Sequence, residues 1–227
     1  VSIKNEVISK RKSVRKYDSK PLLPDAIQNL KKQIEAVTTL FSDIKFSIEI
    51  EESTKGIFGV KAPHYLIFRS EQKDGYLLNT GFIGQLLSLY LSEAGIGSCW
   101  LGMAKPEGEG SYPFVISMAF GTANEDIYRK PDEFKRKPLS EISEGDDTRL
   151  EAVRLAPSGM NSQNWYFVSH DSKIDCYIKS GKMSKRLSMI DMGIALAHIY
   201  VESANFAFSK AEEHKVISKY EYVGTVI

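Results

Sequence analysis

Two stretches of this chain return in the same order and at nearly the same interval. Ile34-Glu35-Ala36-Val37 matches Leu150-Glu151-Ala152-Val153, 116 positions on, and Asn79-Thr80-Gly81-Phe82-Ile83 matches Asp191-Met192-Gly193-Ile194-Ala195, 112 positions on. An internal repeat restricts the fold more than any single motif, because each copy must build the same unit and bury its apolar face against something. The competing explanation is chance likeness between amphipathic helices. With 227 residues the chain has room for one large domain or two small ones. The repeat favours two: a module over 1–121, a linker over 122–149 and a shortened second module over 150–227.

Hydrophobic spacing supplies the elements. Pro24-Asp25 opens a helix in which Ile27, Leu30, Ile34 and Val37 share one face. Phe46 to Glu51 alternates apolar and polar with period two, as a half-buried strand does. His64 to Phe68 reads as a buried strand, with His64 structural, and Phe114 to Phe120 as another strand. Between them, Tyr76 to Gly95 is apolar on more than one face, which places that helix at the centre of the fold. The last third opens on a helical run, Leu150 to Leu155, and reaches the aromatic, β-branched strand Trp165 to Val168. Residues 122–149 are polar and read as a linker with little core of its own.

Composition excludes several classes of function. Apolar residues make up 42% and charged residues 26%, with a net charge of +1, so no global field draws the chain to nucleic acid or membrane. No apolar run approaches the roughly 18 residues of a membrane span, and no signal-peptide core is visible, so the cytoplasm is the expected compartment. Cys99 and Cys176 stand far apart in apolar surroundings and read as buried small hydrophobes, without metal or disulfide spacing. The four histidines are scattered, and no metal ligand set is expected. Glu51-Glu52 and Asp146-Asp147 lie in polar context and read as surface pairs. No phosphate loop or dinucleotide fingerprint is present, and no catalytic residue can be named. An enzyme with this sequence would need a cofactor to bring the reactivity.

Two stretches carry the candidate chemistry. Lys10 to Lys16 holds five cations around Ser13, which is either a solvated helix end or a clamp for one phosphate, with arginine forks and a hydroxyl donor. The second is Ala156-Pro157-Ser158-Gly159-Met160-Asn161-Ser162-Gln163-Asn164-Trp165. Its Pro, Ser, Gly and Asn make a turn, with Gly159 free to take a positive φ, and the same donors and acceptors suit a planar hydrogen-bonding ligand.

Both stretches resemble the nitroreductase family. The opening, Arg11-Lys12-Ser13-Val14-Arg15-Lys16-Tyr17 with Pro21 behind it, looks like R-R-S-[IV]-R-x-[FY], and the loop looks like A-P-S-x-x-N-x-Q-P-W, with Asn164 in place of the proline. Asn79-Thr80-Gly81 and Gly95-Ile96-Gly97-Ser98-Cys99-Trp100 resemble the family's dimerisation helix and the turn after it. The resemblance implies an α+β, nitroreductase-like fold of mixed, mostly antiparallel sheets packed by helices. It also implies FMN as cofactor. Arg11, Lys12, Ser13 and Arg15 would hold the phosphate; Arg136, in a short basic motif, would close over it. Pro157, Ser158, Gly159 and Asn161 would meet the ring and ribityl chain, and the backbone at Glu107 and Gly108 would approach flavin N5, unless that stretch is an ordinary Gly-rich turn.

In the family, the phosphate clamp and the Pro-Ser-x-x-Asn loop of one flavin site come from different subunits. Here the first module has the clamp and lacks the loop; the second has the loop and lacks the clamp. The chain is therefore expected to be a fused pseudo-dimer, a monomer with a single flavin site. By resemblance it would pass a hydride from NAD(P)H through flavin N5 to an electron-poor acceptor such as a nitroaromatic or quinone. The rival readings are an FMN-binding storage or sensing protein without turnover, and a degenerate scaffold that binds no flavin.

Overall fold

In the computed structural model, which describes residues 3–56, 60–179, 181 and 185–227, two helices cross at the centre. α1 spans Pro24–Glu35, β1 Phe46–Glu51 and β2 His64–Ser70; α2 is Tyr76–Glu93. β3 (Gly97–Leu101) and β4 (Phe114–Gly121) complete the first sheet, ordered β1-β2-β4-β3 and antiparallel throughout. Next come α3 (Leu139–Ile142), β5 (Ser143–Glu144), α4 (Arg149–Leu155), β6 (Trp165–His170), β7 (Lys173–Lys179), α5 (Lys185–Glu202), β8 (Phe208–Ser209) and β9 (Tyr220–Val226). The second sheet is ordered β5-β6-β7-β9-β8, antiparallel except for the β5–β6 pair. Leaving β5 aside, it repeats the strand order of the first.

α2 is buried along nearly its whole length, as an all-round apolar helix must be. It lies against α5, and the contact is reciprocal. A Cβ on Gly81 would fall 2.1 Å from the Ile190 carbonyl oxygen, and one on Gly193 would fall 2.1 Å from that of Leu78. The pairs 81/193 and 78/190 are each 112 positions apart, the interval of the sequence repeat. Backbone touches backbone at both points, which only glycine permits. Around the crossing, side chains from α2, α5, β2, β4, β6, β7 and β9 form one continuous apolar core, with Phe82, Phe120, Trp165 and Phe167 almost fully enclosed.

A short polar chain ties the two central helices below the glycines. Trp100 Nε1 donates to Gln85 Oε1 at 3.1 Å, and Gln85 Nε2 lies 2.9 Å from His198 Nε2. His198 Nδ1 is 2.8 Å from the Ala152 carbonyl oxygen. The carbonyl can only accept, so Nδ1 carries the proton and Nε2 accepts from the amide. That pattern needs a neutral ring, and burial pushes the His198 pKa down to about 3.

Residues 122–149 do more than connect. Their backbone pairs with the opening segment, Arg11 with Tyr128 and Tyr17 with Ala123, and Arg129 N donates to the Lys10 carbonyl at 2.8 Å. Phe134 and Ile142 are buried and β5 extends the second sheet. The composition is polar because backbone hydrogen bonds, rather than apolar side chains, hold most of it in place. β3, read from the sequence only as the stretch after the helix, is a strand to which Ser13 adds a parallel bridge at Ser98.

Gly193→Ala is expected to cost about 2–3 kcal/mol through forced separation of the helices, seen as a Tm lowered by roughly 5–10 °C. Gly102→Ala, whose Cβ would meet nothing within 4 Å, should leave Tm unchanged. A second expectation concerns acid. The unfolded chain protonates His198 below about 6.5 while the folded chain resists it until about 3, so the His198 contribution is present at neutral pH and is lost as pH falls through that window. Melting curves of wild type and His198→Gln should converge on acidification from pH 7 to about 4.5; parallel curves would contradict the assignment.

Candidate functional site

The opening segment is pinned by three buried side chains, Val7, Ile8 and Val14. Val14 N donates to the Ser98 carbonyl at 3.0 Å, and Tyr17 Oη donates to the Val14 carbonyl at 2.8 Å. With Val14 facing inward against β3, its neighbours Ser13 and Arg15 face outward. Glu125 secures the turn: its Oε1 accepts the backbone N–H of Arg15 at 2.6 Å and of Lys16 at 3.1 Å, and those bonds hold its pKa low. The basic cluster thus begins at the end of a short 3-10 helix, Asn5–Val7, where Lys10 and Arg11 still bond the Val7 carbonyl, and from Lys12 on is a held strip of backbone.

The loop after α4 is held in an unusual shape. Met160, Asn161 and Gln163 have φ of 53°, 56° and 47°, the left-handed region. Gly159, the residue expected to use that freedom, has no such φ. Each such non-glycine residue costs on the order of 1 kcal/mol, and hydrogen bonds offset it. Gln163 N donates to Ser158 Oγ at 3.0 Å, and Gly159 N donates to both oxygens of Asp191 at 2.9 and 3.1 Å. The basic motif of the 122–149 segment closes the loop from outside. Arg136 Nη1 donates to Asn161 Oδ1 at 2.6 Å, Asn161 Nδ2 to the Lys135 carbonyl at 2.7 Å, and Lys137 N to Gln163 Oε1 at 2.9 Å.

These three stretches meet around one open cleft of about 780 Å³. Lys12, Ser13 and Arg15 line one bank; Pro157, Ser158, Met160 and Asn161 line the other. Arg129, Glu133, Lys135 and Arg136 come from the segment between them. Arg11 is almost wholly buried, 3% exposed, within reach of the charges of Arg136, Arg129 and Arg15. Its Nη1, the Nε of Arg129 and the Nε of Arg136 are all buried without a hydrogen-bond partner. Burial first, then repulsion from Arg136 and Arg129, brings the Arg11 pKa down to about 9. Burial and the charge of Arg129 bring Arg136 down to about 10, and burial lowers Arg129 as well. Buried like charges are costly; an anion in the cleft, which Arg129 and Arg136 line, would offset their charge.

Sequence reasoning missed Arg129. It lies in a polar stretch with no periodicity, and only the backbone pairing with Lys10 carries it to the cleft. The converse holds for Glu107 and Gly108, which the structure does not bring to this cleft. They follow the opposite end of β3 from Ser98, where Glu107 Oε1 accepts from Ser53 Oγ at 2.9 Å and the Gly108 carbonyl accepts from Arg69 Nη2 at 2.8 Å. Gly108 borders a separate hollow with Arg69 and Lys105. Cys99 and Cys176 are buried, and burial raises both thiols, so neither is an activated nucleophile. Among the described residues no cluster of His, Cys, Asp or Glu could hold a metal ion. No helix among them is long and apolar enough to cross a membrane.

Comparison with known proteins agrees with this architecture. The chain aligns end to end with the crystal structure of a "putative nitroreductase" from Thermotoga maritima, with a TM-score of 0.68 and 21% identity, covering 100% of this chain and 93% of the other. More distant likenesses include an FMN-dependent nitroreductase from Clostridium difficile (TM-score 0.45, 16% identity, 57% of this chain and 93% of that one). Another is a nitroreductase with bound FMN from Desulfitobacterium hafniense (TM-score 0.43, 14% identity, 59% and 97%). No curated protein matches the chain. Residues 4–203 match the family described as "Putative TM nitroreductase", and with most of its length inside that match the chain belongs to this nitroreductase family.

Proposed function

We propose that the cleft holds one FMN and that the chain is a flavin-dependent oxidoreductase working as a single-chain pseudo-dimer. The observation that carries the reading is the trio of arginines, Arg11, Arg129 and Arg136, each with one buried N–H unbonded; Arg129 and Arg136 line a cleft rimmed by cations, and Arg11 is buried within range of their charge. A phosphate dianion offers three oxygens to such donors, and arginine forks match them in geometry. Arg11, Lys12, Ser13 and Arg15 would hold it from one bank, with Arg136 and Arg129 closing from above. Pro157, Ser158, Gly159 and Asn161 would present a flat, polar edge to the ring and ribityl chain. Glu107 and Gly108 have no part in this reading, because neither lines this cleft.

The FMN, when bound, would supply a hydride acceptor between NAD(P)H and an electron-poor acceptor such as a nitroaromatic or quinone. The chain's own contribution is to bind, orient and polarise. The pseudo-dimer reading is supported by the matching strand orders and by the reciprocal Gly81 and Gly193 contacts, 112 positions apart. On this reading 1–121 brings the clamp, 150–227 the Pro-Ser-x-x-Asn loop, and 122–149 straps the two together. The surface through which such modules would pair is already buried at α2 and α5, so the chain should work as a monomer.

Titration with FMN should saturate at one equivalent per chain. Arg136→Met should weaken FMN binding about 10- to 100-fold, the worth of a charge-assisted hydrogen bond to phosphate, and riboflavin binding much less, through the lost hold on Asn161 alone. Equal losses for both flavins would place Arg136 away from the phosphate. Anaerobic NADPH or NADH should then bleach the bound flavin, and sedimentation should find a monomer. Flavin that stays oxidised would mean a holding protein without turnover, and colourless protein that ignores FMN would end the flavin reading.

A further inference from the structure

Among the described residues Asp191 is the one buried carboxylate bonded to the cleft loop. It is 5% exposed, and both its oxygens rest on a single donor, the Gly159 N–H. A carboxylate has about four acceptor sites, so most of its capacity is unspent. Among the described residues no ionised group answers it from the elements packed on α5. Arg149 and Arg154 of α4 are paired with Asp147 and Glu151. Asp175 of β7 bonds Thr225 and His170. α2 carries no charged residue before Glu93, and Arg136, across the loop, bonds Asn161. On α5 itself Lys185 pairs with Glu221 and Arg186 donates to the Val115 carbonyl.

The matching position of the repeat makes the contrast. There Asn79 Oδ1 accepts from Leu40 N at 2.9 Å and Phe41 N at 3.3 Å, tethering the corresponding loop of the first half with a neutral amide. An amide is enough for a tether. The carboxylate at 191 adds a charge that can be switched, and burial pushes its pKa up to about 7.

We propose that Asp191 is a positioning residue that makes the cleft pH-responsive: ionised, it holds Gly159, and through it Ser158 and Asn161, more tightly than when protonated. The charge-assisted bond from Gly159 is the stronger one. The protonated acid keeps only a carbonyl acceptor. The loop it restrains carries three left-handed non-glycine residues, so a weaker tether lets it relax. The inference rests on the flavin reading of the cleft only for its consequence, tighter flavin binding above neutral pH.

Two measurements test it. In the flavin-free protein, the Gly159 amide proton should move downfield in NMR spectra as pH rises from about 6 to 8.5, with a midpoint near 7, and should not titrate in Asp191→Asn. The ratio of FMN dissociation constants, variant over wild type, should rise from near one at about pH 6 to about fivefold at pH 8.5; taking the ratio cancels the ionisation of FMN itself. A Gly159 amide indifferent to pH overturns the proposal. So does a pH-independent ratio, the mark of a merely structural contact, or a ratio that falls, which would mean the ionised carboxylate releases the loop towards water. If wild type binds no FMN at any pH, the flavin reading fails and the amide titration alone still decides Asp191.

Discussion

At the crossing of α2 and α5 two backbones come within the thickness of a methyl group, Gly81 on the Ile190 carbonyl and Gly193 on that of Leu78. The two banks of the cleft ride on these helices. Ser88 of α2 bonds Ser98 of β3 at 2.9 Å, and Ser98 carries the opening segment at Ser13 and Val14. Asp191 of α5 holds the opposite loop at Gly159. Each bank is thus tied to one of two helices whose spacing the glycines fix, and a side chain at either glycine would change that spacing. Close packing transmits such a change instead of absorbing it.

The cleft carries two kinds of cost. Arginines are crowded with buried N–H groups unsatisfied, and three residues of the facing loop sit in left-handed conformation without being glycine. Both are tolerated because the surroundings over-determine them. Val7, Ile8 and Val14 fix the basic strip, and Lys135 to Lys137 together with Asp191 fix the loop. Local rules broken in one place, against a consistent core elsewhere, are what a binding site looks like in physical terms. The polar Gln85–His198–Ala152 chain is the opposite case, buried and fully paired.

Some of this was legible in the residues. Phe46 to Glu51 alternates and forms β1 at those bounds, with Ile48 and Ile50 packed on the core. The all-round apolar run from Tyr76 is the central helix. The clamp and loop motifs were readable as candidates, and they face each other across one cleft. Three features were not readable. The 122–149 segment is held by backbone pairing, which leaves no trace in hydrophobic period. Arg129 has no motif around it. The Glu107-Gly108 stretch has the composition of a cofactor turn, but it does not line this cleft, and Gly108 borders a separate hollow.

By itself the sequence determined the main helices and strands of the first half, the repeat and the kinds of side chain available for an anionic, planar ligand, because these follow from period, turn chemistry and charge. Tertiary structure decided which of them meet. Residues near 12 and near 158 share a cleft only because two helices with glycines at matching positions let the halves close on each other. It also decided ionisation: one aspartate among the many acidic residues of the chain is pushed up to about 7, because burial leaves it a single N–H for company. Neither proximity across 140-odd positions nor desolvation is written in local order; both are consequences of what the packed core excludes.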